Sequence, residues 1–327
     1  MRRIAVRMAL MAGVIAAFLP SEPWANGAAH SREPIAPIAA PSGLDANKVA
    51  LGRALFSDPI LSSDGTVSCA SCHNLAAGGV DRRPHSVGVG GAEGSVNAPT
   101  VYNSGLNYRQ FWDGRADTLE SQVDGPITNP IEMNGTWAGV LARLKASSYR
   151  PRFQALYGGE VSASAVRDAL SSFERSLATV DSRFDHWLRG DDGALSATER
   201  RGYELFKSYG CASCHQGANV GGNMFQRFGF FGSPFTGTQG KADLGRFNVT
   251  GREEDRHVFK VPSLRLAVLT PPYFHDGSVP DLPQAIQMMG RYQLGRDIPP
   301  GDIDLIIAFL ETLPGKMDTV AAAGSGR

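Results

Sequence analysis

All four cysteines of this 327-residue chain occur in two copies of one pentapeptide. The copies are Cys69-Ala-Ser-Cys-His73 and Cys211-Ala-Ser-Cys-His215. Cys-x-x-Cys-His is the attachment signature of c-type haem, in which both thiols bond to the porphyrin and the histidine becomes an axial iron ligand. The motifs therefore predict a redox protein that carries two covalently bound haem c groups, held by Cys69, Cys72, Cys211 and Cys214 and ligated by His73 and His215.

Two other kinds of cysteine site fit the pattern less well. A structural zinc site usually takes its cysteine pairs from nearby in the sequence. About 140 residues separate these two pairs, which is far more than in the usual zinc motifs. A dithiol redox pair does not require a histidine at the fifth position, and here the histidine is present twice.

The N-terminus has the features of a secretory signal sequence. Three arginines precede an apolar run from Met8 to Leu19, and small residues at 25–29 offer cleavage sites. The apolar run is short for a membrane span. Haem c is attached outside the bacterial cytoplasm, so both signals predict the periplasm, with residues 1–29 removed as a signal peptide.

Charge and composition exclude one class of partner and give the scale of the fold. The 32 basic and 32 acidic residues cancel, so there is no basic footprint for nucleic acid. The mature chain is long enough for about two domains. Its 38 glycines and 20 prolines predict many loops, and buried haem would add apolar surface to each core.

The elements around the motifs are predicted to be helical, and they repeat. Apolar stripes over 166–177 and 303–313 have helical spacing, and Ser196 with Glu199 forms a capping box. Gly-x-x-Leu-Phe precedes each motif, at 52–56 and 202–206, and matching Pro-containing and Phe-x-Asp-Gly segments follow at equal spacing. We therefore expect a mainly α fold of two cytochrome c-like haem domains related by internal duplication. The expected segments are an extended leader at 30–43, domains at 44–185 and 186–315, and a flexible tail at 316–327.

The second axial position of each iron decides its chemistry, because a thioether closes the iron for electron transfer and an open position admits peroxide. From the residues alone, this position stays undecided for both haems. The thioether candidates near the second motif are Met224, Met288, Met289 and Met317. The first copy offers Met133, His85 and His186, with Glu132 as a candidate acid–base group.

Longer motifs resemble the bacterial dihaem cytochrome c peroxidases and their relative MauG. The resemblance covers about residues 44–314. The segments that carry it are Leu61–His73, Asn97-Ala-Pro-Thr-Val, Gln110-Phe-Trp-Asp-Gly-Arg115, Gly125–Met133, Pro262-Ser-Leu-Arg265, Pro272-Tyr-Phe-His275 and Met288-Met-Gly290.

This resemblance implies a role for individual residues. In the N-terminal peroxidatic domain, His73 would be the proximal ligand, Glu132 the acid–base catalyst with Gln122 close by, and Trp112 the aromatic bridge between the haems. In the C-terminal electron-transfer domain, His215 and Met289 would be the axial pair. Asn97, with the carbonyl oxygens of Thr270 and Pro272, resembles the family's calcium site, whose all-oxygen ligands suit that ion.

One segment departs from the family pattern. Many members have a histidine in a Ser-Ile-Gly-His segment that blocks the peroxidatic iron until the enzyme is reduced. Here the segment is Ser86-Val-Gly-Val89, and valine cannot bind iron. His85 could substitute only if the loop rearranged. The sequence therefore predicts an open N-terminal haem that needs no reductive activation.

The leading prediction is a periplasmic cytochrome c peroxidase that reduces hydrogen peroxide to water with electrons from a small c-type cytochrome or a cupredoxin. The alternatives are a MauG-like oxidase that modifies a protein substrate and a dihaem electron carrier. MauG-like enzymes have tyrosine where this chain has Met289, which favours the peroxidase. Glu132 in its motif argues against a simple carrier. The resemblance also suggests a homodimer, which no residue pattern here demonstrates.

Overall fold

The computed structural model describes residue 30, residues 32–235 and residues 239–317. Within these ranges the protein is mainly helical with extensive loops, as predicted. The signal peptide predicted at 1–29 lies outside the described residues, as does 318–327 of the predicted tail. Over the ranges described, no helix combines the length and apolar character needed to cross a bilayer.

The α-helices of the described residues vary from one to four turns. They are α1 (Ala46–Ser57), α2 (Cys69–Cys72), α3 (Leu119–Gln122), α4 (Asp124–Thr128), α5 (Trp137–Lys145), α6 (Arg150–Tyr157), α7 (Ala163–Ser176), α8 (Arg183–Leu188), α9 (Ala197–Ser208), α10 (Phe247–Thr250), α11 (Leu282–Met288) and α12 (Pro300–Leu310). Two three-residue strands, β1 (Phe225–Arg227) and β2 (Val258–Lys260), pair antiparallel with Phe225 opposite Lys260. The absence of long strands from this part of the chain agrees with the sequence prediction.

The first cluster of buried apolar residues forms where α1 crosses α7. Leu51 and Leu55 of α1 are fully buried against the apolar stripe of α7. Gly52 permits this close crossing, because a Cβ atom at that position would clash with the carbonyl oxygen of Ala169 on α7. Helices α1 and α7 thus form one core, against which Cys69 of the first motif packs.

The second cluster forms in the same manner where α9 crosses α12. The capping box predicted at the start of α9 is present, with Ser196 and Glu199 each accepting a hydrogen bond from the other's backbone N–H. A Cβ atom at Gly202 would clash with the carbonyl oxygen of Leu305 on α12. The apolar residues of α12 predicted from their spacing, including Ile303 and Ile306, are buried there.

The described residues of the predicted leader have a turn and bends at 32–35 and no regular secondary structure over 36–42, and Ile35 packs in the second cluster although the leader precedes the first. Ile35 and Ile38 are buried, and the carbonyl oxygen of Ala36 accepts a hydrogen bond from Arg265. Near the predicted domain boundary at 185–186, helix α8 runs from 183 to 188, and its Phe184 belongs to the second cluster.

Candidate functional site

Each cysteine motif lines a cavity of its own. The first cavity has a volume of about 610 Å³ and the second about 200 Å³. None of the four cysteines belongs to a disulfide. The second cavity is walled largely by apolar side chains, such as Phe206, Leu264 and Ile306. Unpaired thiols on an apolar cavity are the donor set and the environment that a covalently attached haem requires.

The first motif adopts a single helical turn that presents its thiols together. In α2, Cys69 and Cys72 are three residues apart and therefore lie on the same side of the turn. The turn is held at its start by Ser71 Oγ, which accepts a hydrogen bond from the N–H of Ser68 at 3.0 Å, and at its end by His73 N–H, which donates to the Cys69 carbonyl at 2.9 Å.

Both motif histidines are oriented in the same way. His73 Nδ1 lies 3.3 Å from the carbonyl oxygen of Gly79, and His215 Nδ1 lies 3.4 Å from that of Val220. Donation from Nδ1 leaves the lone pair on Nε2, which is how a ligating imidazole is held. Burial lowers the pKa of His73 and lowers that of His215 to about 4, and in both rings it favours the neutral form. The residues therefore fit two haem c groups, whose presence the motifs imply.

Glu132 and Gln122 line the first cavity together with His73. Asn129 Nδ2 donates a hydrogen bond of 2.6 Å to Glu132 Oε1. Burial raises the pKa of Glu132, against the opposing effects of the Asn129 hydrogen bond and the positive charge of Arg115. The cavity thus contains a carboxyl group that is held by a hydrogen bond. Its pKa is raised toward neutral pH, which suits a group that exchanges protons.

Trp112 lies at the boundary between the two cavities and lines both of them, as Phe259 and Lys260 also do. Its indole Nε1 donates a hydrogen bond to the carbonyl oxygen of Asn97 at 2.9 Å, and its own carbonyl accepts one from the N–H of Lys260 at 2.8 Å. The first bond orients the indole, and the second holds the backbone of Trp112.

Met289 lines the second cavity together with His215. The other thioether candidates, Met224, Met288 and Met317, are not among the residues that line it. Helix α11 ends at Met288, and a π-helical turn over Met289–Gln293 follows. Such wide turns are frequent at functional sites. This one begins between the two adjacent methionines, of which Met289 lines the cavity and Met288 does not.

The segment that departs from the family pattern lies against the loop of Glu132. The N–H of Val89 donates a hydrogen bond to the Glu132 carbonyl at 2.8 Å, and a Cβ atom at Gly88 would clash with the same loop. Val89 packs against the first cluster. His85 is not among the residues that line the first cavity, and its Nδ1 lies 3.3 Å from a carboxylate oxygen of Glu93.

The three candidate calcium ligands lie in neighbouring segments. Asn97 is buried, and its backbone N–H donates to the carbonyl oxygen of His275 at 2.8 Å, three residues beyond Pro272. Its side-chain amide donates to the carbonyl oxygen of Arg83 at 2.9 Å. The calcium role of Asn97, Thr270 and Pro272 stays a prediction.

Two buried ionisable residues of the cavities were missed from the sequence. Glu174 lines the first cavity from α7, and burial raises its pKa to about 8. A signal for it existed, since it lies four residues after Leu170 on the buried stripe. Lys260 lines both cavities. Its occurrence in the apolar run Val258-Phe-Lys-Val261 was the corresponding signal.

Comparisons with known proteins agree on one family. The family model described as "Di-haem cytochrome c peroxidase" matches residues 46–193. "Cytochrome c peroxidase Ccp" of Escherichia coli (strain K12) is 50% identical over 288 residues, which cover 88% of this chain and 62% of that protein. "Cytochrome c551 peroxidase" of Nitrosomonas europaea is 47% identical over 292 residues, which cover 88% of this chain and 86% of that protein.

A solved structure shares the fold. It is described as a MauG-like protein associated with microbial copper homeostasis, and it matches with a TM-score of 0.76 at 29% identity. The match covers 86% of this chain and 93% of that one. The similarity therefore extends over most of the chain.

Proposed function

The chain belongs to the dihaem cytochrome c peroxidase and MauG family of oxidoreductases, and we propose that it reduces hydrogen peroxide to water in the periplasm. We propose a small c-type cytochrome or a cupredoxin as its electron donor. The family implies two haem c groups, which Cys69, Cys72, Cys211 and Cys214 would attach and His73 and His215 would ligate.

The observation that carries this proposal is that different functional side chains line the two cavities. The first contains Glu132 and Gln122 with His73, and the second contains Met289 with His215. A carboxyl group beside an open iron suits peroxide chemistry, whereas a thioether opposite the histidine suits electron transfer. The two motifs thus serve different steps.

When bound, the haems supply an iron at which peroxide is reduced and a second centre through which electrons arrive. Glu132 would accept the proton of one peroxide oxygen and donate it to the other, which would leave as water once the O–O bond has taken up electrons delivered through the haems. Asn129 holds one carboxylate oxygen of Glu132 and leaves the other for proton exchange. Gln122 orients the peroxide. Two electrons and two protons convert each peroxide to two waters.

Trp112 provides the path for electrons between the haems in this proposal. Its indole lines both cavities, and its hydrogen bond to Asn97 holds the ring in place. We propose that Asn97, with the carbonyl oxygens of Thr270 and Pro272, also binds calcium at this junction. An ion there would further fix the segments on which Trp112 depends.

We also propose that the chain consists of two duplicated domains, at about 44–185 and 186–315. The parallel contacts of Gly52 and Gly202 support this, and His73 and His215 each have a backbone carbonyl partner five or six residues later. Phe111 and Phe274, at equal positions of the repeat, share a left-handed backbone conformation with φ of 68° and 69°.

A MauG-like oxidase is the second candidate, and the departure at Val89 favours it as much as the peroxidase, because both use an open first haem. Met289 in the second cavity favours the peroxidase. The test is steady-state oxidation of reduced cytochrome c or cupredoxin by peroxide. We expect turnover on the order of 10 s⁻¹ or faster, with two donors oxidised per peroxide. Failure of both donors to support peroxide consumption would refute the proposal.

A further inference from the structure

Lys260 is a buried lysine whose ammonium group has no partner among the residues that the structure describes. The residue is 6% exposed. Across residues 30, 32–235 and 239–317, its Nζ makes neither a hydrogen bond nor an ion pair. Burial alone lowers its pKa to about 8, with no carboxylate acting in the other direction. Burying an unpaired ammonium group costs free energy. We therefore expect an anion from outside the polypeptide to bind it.

The backbone around Lys260 holds it firmly at the boundary between the cavities. Its N–H donates to the Trp112 carbonyl at 2.8 Å, and in the β-ribbon it lies opposite Phe225. The preceding residue, Phe259, stacks on His275 with ring centroids 4.4 Å apart. A strand fixed on both sides restricts the reach of the side chain to the two cavities that it lines.

The carboxylates of the cavities are committed elsewhere or lie out of reach. Of those that line the first cavity, Asp113 is paired with Arg115 at 3.0 Å and Glu132 is bonded to Asn129. Glu174, the third, does not contribute to the pKa of Lys260. The second cavity has no Asp or Glu among the described residues that line it.

Haem c carries two propionate carboxylates that its thioether bonds leave free. We propose that Lys260 binds a haem propionate at the boundary between the two cavities and that its charge raises the reduction potential of that haem. A positive charge beside the haem stabilises the reduced form, since that form carries one positive charge fewer. Either haem could supply the carboxylate, and the experiment below distinguishes them. The inference rests on the two haems of the proposed function, but not on peroxide turnover.

The test is a spectroelectrochemical titration of both haems in the purified holoenzyme, after two covalent haems per chain are confirmed. In Lys260→Met we expect the reduction potential of one haem to fall by at least about 59 mV. For one electron, this corresponds to a tenfold change in the reduction equilibrium constant. The other haem should change less. Lys260→Arg should keep the wild-type potentials, because it keeps the charge.

Lys241→Met is the matched control, since Lys241 lines the first cavity but is exposed. It should leave both potentials unchanged. If Lys260→Met does not retain both haems, Lys260→Gln replaces it with the same expected fall. Unchanged potentials in the neutral variant would overturn the proposal. A wild-type potential that follows the chloride or phosphate concentration would also overturn it, because a free anion would then be the partner. Absence of peroxide turnover in the wild-type holoenzyme would count against the proposed function, and it would leave the test of Lys260 intact because the potentials are measured without peroxide.

Discussion

The backbone N–H of Val89 donates a hydrogen bond to the carbonyl oxygen of Glu132 at 2.8 Å. The segment in which the family places a blocking histidine is therefore tied directly to the loop of the proposed catalytic acid. Gly88 brings the two segments into close contact, and Ser86 lines the first cavity. A change in this segment should thus affect both access to the first haem and the position of Glu132.

We predict that the fully oxidised enzyme binds cyanide without prior reduction, because valine at position 89 cannot occupy an iron ligand position. A shift of the Soret band on adding cyanide to the ferric protein measures this. Val89→His is the matched variant, and its ferric form should bind cyanide more weakly or only after reduction. Ferric wild-type protein that ignores cyanide until it is reduced would contradict the open-site hypothesis.

Glu132→Gln should lower kcat for peroxide by at least about a hundredfold, since it removes the group that transfers the proton. Glu93→Gln is the control, because Glu93 is largely exposed on the neighbouring segment, with 70% of its side chain accessible. Stopped-flow and steady-state assays with reduced donor compare the two variants. Wild-type rates in Glu132→Gln would remove Glu132 from its assigned role.

The pH profile gives a second test of Glu132. Burial raises the pKa of its carboxyl group, and the ionised form is needed to accept a proton. Activity should therefore fall as the pH drops through a pKa above that of an ordinary glutamate. The residual activity of Glu132→Gln should lack this acidic limb, and a limb that persists in the variant would belong to another group.

Met289→Ala should convert the second haem to a high-spin spectrum, because it removes the thioether that lines the cavity with His215. Met288→Ala is the control, since the adjacent thioether does not line that cavity. Absorption and electron paramagnetic resonance spectra of the ferric proteins report the spin state. The opposite pattern, with Met288→Ala high-spin, would reassign the ligand.

Features encoded locally were accessible from the sequence. Ser196 and Glu199 fix the start of α9 through a reciprocal cap, and the spacing of Ile303 and Ile306 places the buried face of α12. Each cysteine motif predicts haem attachment from only five consecutive residues. Such features depend on residues within a turn or two, so one sequence is sufficient to predict them.

Features that depend on distant packing were not accessible. No local pattern shows that Lys260 lines both cavities, because this follows from the pairing of two short strands and from a bond to Trp112. The leader likewise gave no sign that Ile35 would be buried in the second cluster, which begins about 150 residues later. These contacts are set by tertiary structure rather than by propensity.

A buried ion pair joins α8 to the segment of Arg265, which also contacts the leader. Arg265 and Asp185 are both fully buried and 2.7 Å apart, and Arg265 also donates to the carbonyl oxygen of Ala36. Asp185→Ala should cost about 3–5 kcal/mol of unfolding free energy, because it leaves the guanidinium buried and unpaired. Asp297→Ala breaks the exposed pair with Arg291 and should cost less than about 1 kcal/mol. Denaturant unfolding measures both, and equal losses would contradict the argument.

Glu174 should make stability fall as the pH rises. Its folded-state pKa is about 8 because the carboxyl group is buried, against 4.5 as its ordinary value. Between these pH values the folded state binds a proton that the unfolded state has released, so the free energy of unfolding decreases with increasing pH. The neutral variant Glu174→Gln lacks this dependence. Relative to wild type, it should therefore gain on the order of 3 kcal/mol between pH 5 and pH 8. Denaturant titrations at both pH values, with Glu160→Gln as an exposed control, measure the difference. A constant gap between Glu174→Gln and wild type would show that the carboxyl group is ionised in the folded protein.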